Sequence, residues 1–327
     1  MLSASTRFRV LPFLAAPLAA VLALDGCGGT SGTAIPPADD AESSGTSGAS
    51  GTSGTSGTSG TSGTSGTSGT GGGTDAGGDA GADAPGLARF SFFVVSYKAI
   101  QALSGSSQGF GGDLRFGETG PGAGLRGADK ICATVAERSM PGASAKPWRA
   151  FLSAATDGPG QVHAIDRIGD GPWYDRLGRT FALKKADLPF FRPTSGDTAI
   201  KFDFPNEDGV PNHAPDGTLV DNHDTLTGSN ALGHVYSPMA TCLDWTAKEG
   251  NLAVEGKPRV GHSWPRTAGP GMDGGVNGVY GHWISSLTES GCAPGVNLLE
   301  QGGPKPNEVT VGSGGGYGRW YCFSMVP

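Results

Sequence analysis

Apolar and polar positions divide the chain into three stretches of different texture. Val10 to Leu24 is almost wholly apolar, "VLPFLAAPLAAVLAL", whereas residues 28–88 carry almost no apolar side chain. From residue 89 onward apolar residues return in short runs. "RFSFFVVSYKAI" is rich in aromatic and β-branched residues and predicts a strand. Ala128, Ile131, Cys132, Val135 and Ala136 fall at helical spacing, which predicts one helix opening at Gly127-Ala128-Asp129 and ending at Met140-Pro141-Gly142. "PWRAFLSA" predicts a further strand, "WYDRLGRTFAL" a hairpin turning at Leu177-Gly178, and "GRWYCFSMVP" a last strand. From about Lys185 to Tyr236 the chain is polar and without period, the profile of a long functional loop. One helix among several short strands predicts a loop-rich α+β domain over residues 89–327.

The first two stretches lie outside that core. Arg7 and Arg9 precede the apolar run, which is shorter than the roughly 20 residues a membrane span needs and is interrupted by Pro12 and Pro17. This pattern predicts a secretory signal over residues 1–26. From Gly45 the chain repeats GTS, then GAS, then GTS six more times. Glycine at every third position resembles collagen, but Thr and Ser stand where collagen needs proline. Residues 27–88 are therefore expected to be a flexible linker, and about 60 residues of such coil span roughly 40 Å.

Charge follows the same division. The formal net charge is −7. Residues 28–88 hold six acids and no base, and the first 27 residues sum to +1, which leaves −2 for residues 89–327. A nearly neutral domain without a basic stripe argues against nucleic acid as a partner.

Five cysteines cannot all pair within one chain. Cys132, Cys242, Cys292 and Cys322 lie in the predicted domain, and four cysteines in an exported domain read as two disulfides with three pairings open. Cys27 stands apart, in "LDGCGG" behind the signal. That segment resembles the bacterial lipobox, with Asp25 as a departure from it. The resemblance implies a lipid-anchored Cys27 and a place in the bacterial cell envelope, facing the periplasm or the cell surface. The alternative is an ordinary cleaved signal that leaves Cys27 as an unpaired or intermolecular thiol.

The ordered set "GADKIC", "WRAFLS", "DRIGDGPWYD", "TGS" and "YCF", with four cysteines spread among them, resembles the C-type-lectin-like fold and its endostatin-like branch. The resemblance covers about residues 90–327. It implies the nested disulfides Cys132–Cys322 and Cys242–Cys292, and a non-catalytic domain that recognises a glycan, a matrix component or a protein. Lectins of this family bind calcium and sugar through an Glu-Pro-Asn type triplet and a Trp-Asn-Asp triplet. Here Phe204-Pro205-Asn206 lacks the acid and His282-Trp283-Ile284 lacks the Asn-Asp pair, so the usual sugar-site calcium is not expected.

Other chemistry is weighed residue by residue. "DFPNEDGVPNHAPDGTLVDNHD" offers Glu207, Asp208, Asp216, Asp221, Asn222 and Asp224 as oxygen ligands for calcium, which takes six to eight. A set of Asx turns explains the same residues and is favoured, so no cofactor is expected beyond that calcium candidate. His213 and His223 match no zinc spacing. Gly122-Ala123-Gly124-Leu125-Arg126-Gly127 fits the dinucleotide fingerprint by letter, but no strand precedes it. Gly105-Ser106-Ser107-Gln108-Gly109 fits a nucleophile elbow by letter, but no helix follows it. Trp148 and Trp320 sit in strand-like runs and are expected in the core, whereas Trp173 and Trp264, beside Pro and Gly or Ser, are the candidates for ligand stacking. The expected function is a membrane-tethered binding domain, and the alternative is an exported hydrolase on the same scaffold.

Overall fold

The computed structural model describes residues 89–156, 160–211, 222–264, 281–298 and 308–327. The signal, Cys27, the linker, His213, Asp216 and Asp221 lie outside the described residues. The described part is a mixed α and β structure. Its strands are β1 (Phe92–Val94), β2 (Trp148–Ala150), β3 (Trp173–Tyr174), β4 (Thr180–Ala182), β5 (Asp224–Leu226), β6 (Arg259–His262), β7 (Leu287–Thr288) and β8 (Gly316–Ser324). Its longer helices are α1 (Tyr97–Ser104) and α2 (Ala123–Ser139). No helix among the described residues is long and apolar enough to cross a membrane.

β8 organises the sheet. Its C-terminal half lies between β1 and β2, both antiparallel to it, and its N-terminal half runs parallel to β5. β6 and then β7 extend the sheet beyond β5. The first and last strands of the domain are thus hydrogen-bonded neighbours. Side chains alternate across the sheet with the strand period of two. Phe93, Trp320 and Cys322 join the core packed on α2, while Phe92, Tyr321 and Phe323 join a second core over the β3–β4 hairpin. In that second core Phe92 stacks on Phe181 with ring centroids 3.5 Å apart, and Trp283 donates its indole N–H to the Leu188 carbonyl at 2.9 Å.

Two disulfides tie these layers together. Cys132–Cys322 joins α2 to β8, and Cys242–Cys292 joins two loop segments. Disulfides of this kind belong to an oxidising, exported environment. Cys242 opens an unusual turn: Cys242, Leu243, Asp244 and Trp245 all have positive φ, between 50° and 65°. Such a conformation costs non-glycine residues roughly 1–2 kcal/mol each. The Asp244 carboxylate holds the turn by accepting from the Ala155 and Thr156 N–H groups at 2.5 and 3.0 Å, and the disulfide pins its first residue.

Several sequence expectations need correction. The strand expected across residues 89–100 is only three residues long, because Ser96 ends it and caps α1 by accepting from the Ala99 N–H at 3.1 Å. Gly105, at φ 67°, stops that helix, so the Gly105–Gly109 run is a post-helical turn. α2 begins at Ala123, ahead of the expected Gly127. Its glycines serve close packing: a Cβ on Gly124 would fall 2.1 Å from the Asp244 carbonyl oxygen, and one on Gly127 would fall 2.1 Å from that of Leu114. The polar stretch read as one long loop contains β5, inserted between β8 and β6.

Both tryptophans proposed for ligand stacking are buried. Trp173 is 1% exposed and donates to the Ser324 carbonyl at 3.1 Å; Trp264 is 8% exposed and donates to Asn222 Oδ1 at 3.0 Å. Each indole N–H is spent on an acceptor inside the fold, which leaves neither ring available to stack on a ligand. Trp148 and Trp320 are core residues, as expected.

Candidate functional site

β5 and β6 bring the site together. Their antiparallel register sets Asp224 opposite His262, so both side chains leave the same face. His223 precedes Asp224, and its ring meets the His262 ring edge to face, centroids 4.4 Å apart. Nε2 of His262 lies 3.1 Å from Asp224 Oδ1, and Nε2 of His223 lies 3.6 Å from the same oxygen. One donor atom from each of the three residues falls within 4.8 Å of the others, and all three residues are buried.

Glu289 and a glycine wall complete the surroundings. A Cβ on Gly314 would fall 3.0 Å from Asp224 Oδ2 and 3.4 Å from both Glu289 oxygens, so the two carboxyl groups converge on bare backbone. Ser313 Oγ donates to Glu289 Oε2 at 3.2 Å. Nδ1 of His262 is 3.3 Å from Ser286 Oγ, which accepts the Gly281 N–H at 2.9 Å. Among the described residues, both oxygens of Asp224, Nε2 of His262 and Oε1 of Glu289 have no hydrogen-bond partner. The 3.1 Å approach of His262 to Asp224 is close enough to attract but is not aligned as a hydrogen bond.

Electrostatics divides the two acids. Burial works to raise the Asp224 carboxyl, but the imidazoles of His223 and His262 outweigh it and hold the group at about 2. Burial, and then the charge of Asp224, push the Glu289 carboxyl well above its usual range. Burial lowers His262 against the pull of Asp224. His282, whose Nδ1 accepts the Ile284 N–H at 3.0 Å, is lowered to about 4 by burial and by the cationic Arg192 and Arg259. The arrangement offers two kinds of chemistry: nitrogen and oxygen donors for a cation, or a hydroxyl–imidazole–carboxylate relay through Ser286, His262 and Asp224.

Of the six calcium candidates, this cluster contains Asp224 alone. Glu207 is buried at the start of α1, where it accepts from Ser96 N–H and Oγ at 2.9 and 2.5 Å. Burial raises its carboxyl. Asp208 is exposed, and Asn222 Oδ1 is taken by Trp264. These oxygens therefore serve separate local structures rather than one oxygen cage. His262, Glu289 and Ser286 were not singled out from sequence. They lie 38, 65 and 62 positions beyond Asp224, and only strand pairing brings them near; the sole sequence signal was the His223-Asp224 dipeptide.

A cleft among the described residues lies elsewhere. It holds about 470 Å³ beside the end of α1 and is lined by Phe110, Asp113, Arg115, Glu118 and Lys248 among others, with no histidine. A scan against protein-family models matches none, and a search of the curated proteins finds no relative.

Proposed function

We propose that the chain is an exported, lipid-anchored binding protein whose C-type-lectin-like, endostatin-like domain recognises a glycan, a matrix component or a protein through a loop face around residues 185–240. One observation carries the choice of face. The exposed aromatic side chains among the described residues are Phe190, Phe202 and Tyr236, at 50, 54 and 49% exposure, and all three belong to that stretch. Aromatic faces left in water at high solvation cost are the usual means of stacking on sugar rings or seating a protein partner. The paired first and last strands and the nested disulfides support the lectin-like reading. Cys27 behind an apolar leader supports the anchor.

The test is binding of the unreduced full chain to a glycan array and to immobilised matrix polymers. A combined Phe190→Ala, Phe202→Ala, Tyr236→Ala variant is expected to bind at least tenfold more weakly with an unchanged melting temperature. Equal binding by the variant would place recognition on another surface.

A second reading, an exported hydrolase, rests on the Ser286–His262–Asp224 chain, with gaps of 3.3 and 3.1 Å. In that reading His262 takes the Ser286 proton and Asp224 stabilises the resulting imidazolium. Against it, Ser286 is 5% exposed and its hydroxyl is engaged by Gly281. Labelling of Ser286 by a fluorophosphonate would favour the hydrolase; an unlabelled Ser286 in folded protein would remove it.

A further inference from the structure

We propose that His223, Asp224 and His262 bind a zinc-class divalent ion, with Glu289 supporting the site from beside Asp224. The geometry suits such an ion. Nitrogen and oxygen ligands held at about 2.0–2.2 Å in a tetrahedron stand roughly 3.3–3.5 Å apart. The two imidazole Nε2 atoms stand 3.1 and 3.6 Å from Asp224 Oδ1, and one ligand atom from each of the three residues lies within 4.8 Å of the others, so two of the three spacings match a tetrahedral site and the third is close enough to share an ion.

The hydrogen-bond inventory points the same way independently. Asp224, His262 and Glu289 are 1, 5 and 2% exposed, yet among the described residues four of their polar atoms make no aligned hydrogen bond and meet only one another's charges, His262 and Glu289 against Asp224. Folded proteins seldom leave such atoms unmet, because each costs about 1–3 kcal/mol. The unmet atoms are also the ones turned toward one another. The opposite edges of the same side chains are held: His262 Nδ1 faces Ser286 Oγ at 3.3 Å, and Glu289 Oε2 accepts from Ser313 at 3.2 Å. Outer contacts of this kind fix a ligand's ring orientation and leave its inner atom for a metal. A single cation would satisfy several of these atoms at once.

The donor set selects the class of ion. Calcium takes six to eight oxygens, whereas two of the three donors here are imidazole nitrogens. Both disulfides tie up the domain cysteines, which removes thiolate ligands. Two imidazoles and a carboxylate suit zinc and its first-row neighbours. This proposal does not depend on the recognition reading: His223 and Asp224 fall within residues 185–240 but are buried, at 4 and 1% exposure, apart from the exposed Phe190, Phe202 and Tyr236.

The experiment is zinc titration of the unreduced full chain after chelator treatment, followed by cobalt(II) substitution read by visible absorption. One ion per chain is expected, with cobalt bands of a low-coordinate nitrogen–oxygen site. Asp224→Asn and His223→Ala should each weaken zinc binding at least 100-fold. The comparison variant is His163→Ala, because His163 and His234 form a separate ring pair 4.5 Å apart at the surface and should not contribute. Absence of zinc binding to the folded wild type would overturn the proposal. So would binding that survives both ligand variants, or binding lost on changing His163. The cobalt spectrum of the wild type decides the matter even if a ligand variant fails to fold: octahedral, all-oxygen bands would also overturn it.

Discussion

Replacing Cys132 and Cys322 together by alanine is expected to lower the unfolding free energy by about 3–5 kcal/mol. The bridge closes a loop of 190 residues between α2 and β8, so it removes much of the unfolded chain's freedom. The loop-entropy value for that length is about 5 kcal/mol, and for the 50-residue span of Cys242–Cys292 about 4 kcal/mol. The outer bridge also crosses the most heavily used part of the sheet, because Cys322 pairs with Phe93 on one side and Ala150 on the other. Urea unfolding of the two double variants, followed by tryptophan fluorescence without reductant, measures both costs. The outer pair should prove the more expensive. A change below 1 kcal/mol would mean that the buried contacts of α2 hold β8 without the bridge.

Gly261→Ala is expected to prevent native folding or to cost more than about 3 kcal/mol. Gly261 lies in the middle of β6, and a Cβ there would fall 1.7 Å from the Trp283 carbonyl oxygen and 2.3 Å from its carbon. Both obstacles are backbone, so no rotamer change relieves them. Trp283 is anchored in turn by Leu188 and by the Tyr321 hydroxyl, which donates to that same carbonyl at 2.7 Å. Moving β6 aside would carry His262 away from Asp224 and empty the proposed metal site of one ligand. Gly178→Ala is the contrasting case. Its φ is 78°, but nothing lies within 4 Å of a new Cβ, so the cost should stay near 1 kcal/mol. Thermal unfolding by near-ultraviolet circular dichroism separates the two; similar melting temperatures would refute the close-approach argument.

Local patterns carried much of the fold. The apolar stripe from Ala128 to Ala136 is the buried face of α2, and the Leu177-Gly178 turn joins β3 to β4. "GRWYCFS" is the greater part of β8, whose alternating residues supply both cores. These elements were legible because a repeat of buried side chains at one period is written in neighbouring residues. α1 was obscured because aromatic and β-branched residues run from β1 up to its Ser96 cap. β5 was obscured because its flanks are polar: Thr225 and Thr227 are buried, and their hydroxyls bond backbone carbonyls of His223 and Ile284. A polar run therefore resembled a loop while forming an interior strand.

The candidate site marks the same boundary. By itself the sequence determined an apolar N-terminal run, a Gly/Ser/Thr-rich stretch almost without apolar side chains, a nearly neutral remainder and four cysteines within it, because composition and short-range spacing suffice for each. It also marked Asp224 as a candidate ligand, but among loop oxygens. Only the tertiary structure separated Asp224 from Glu207 and Asn222 and set it against His223 and His262. The physical reason is the sheet register: pairing of β5 with β6 and β8 places distant polar residues in one buried space, where leaving them unsatisfied is costly.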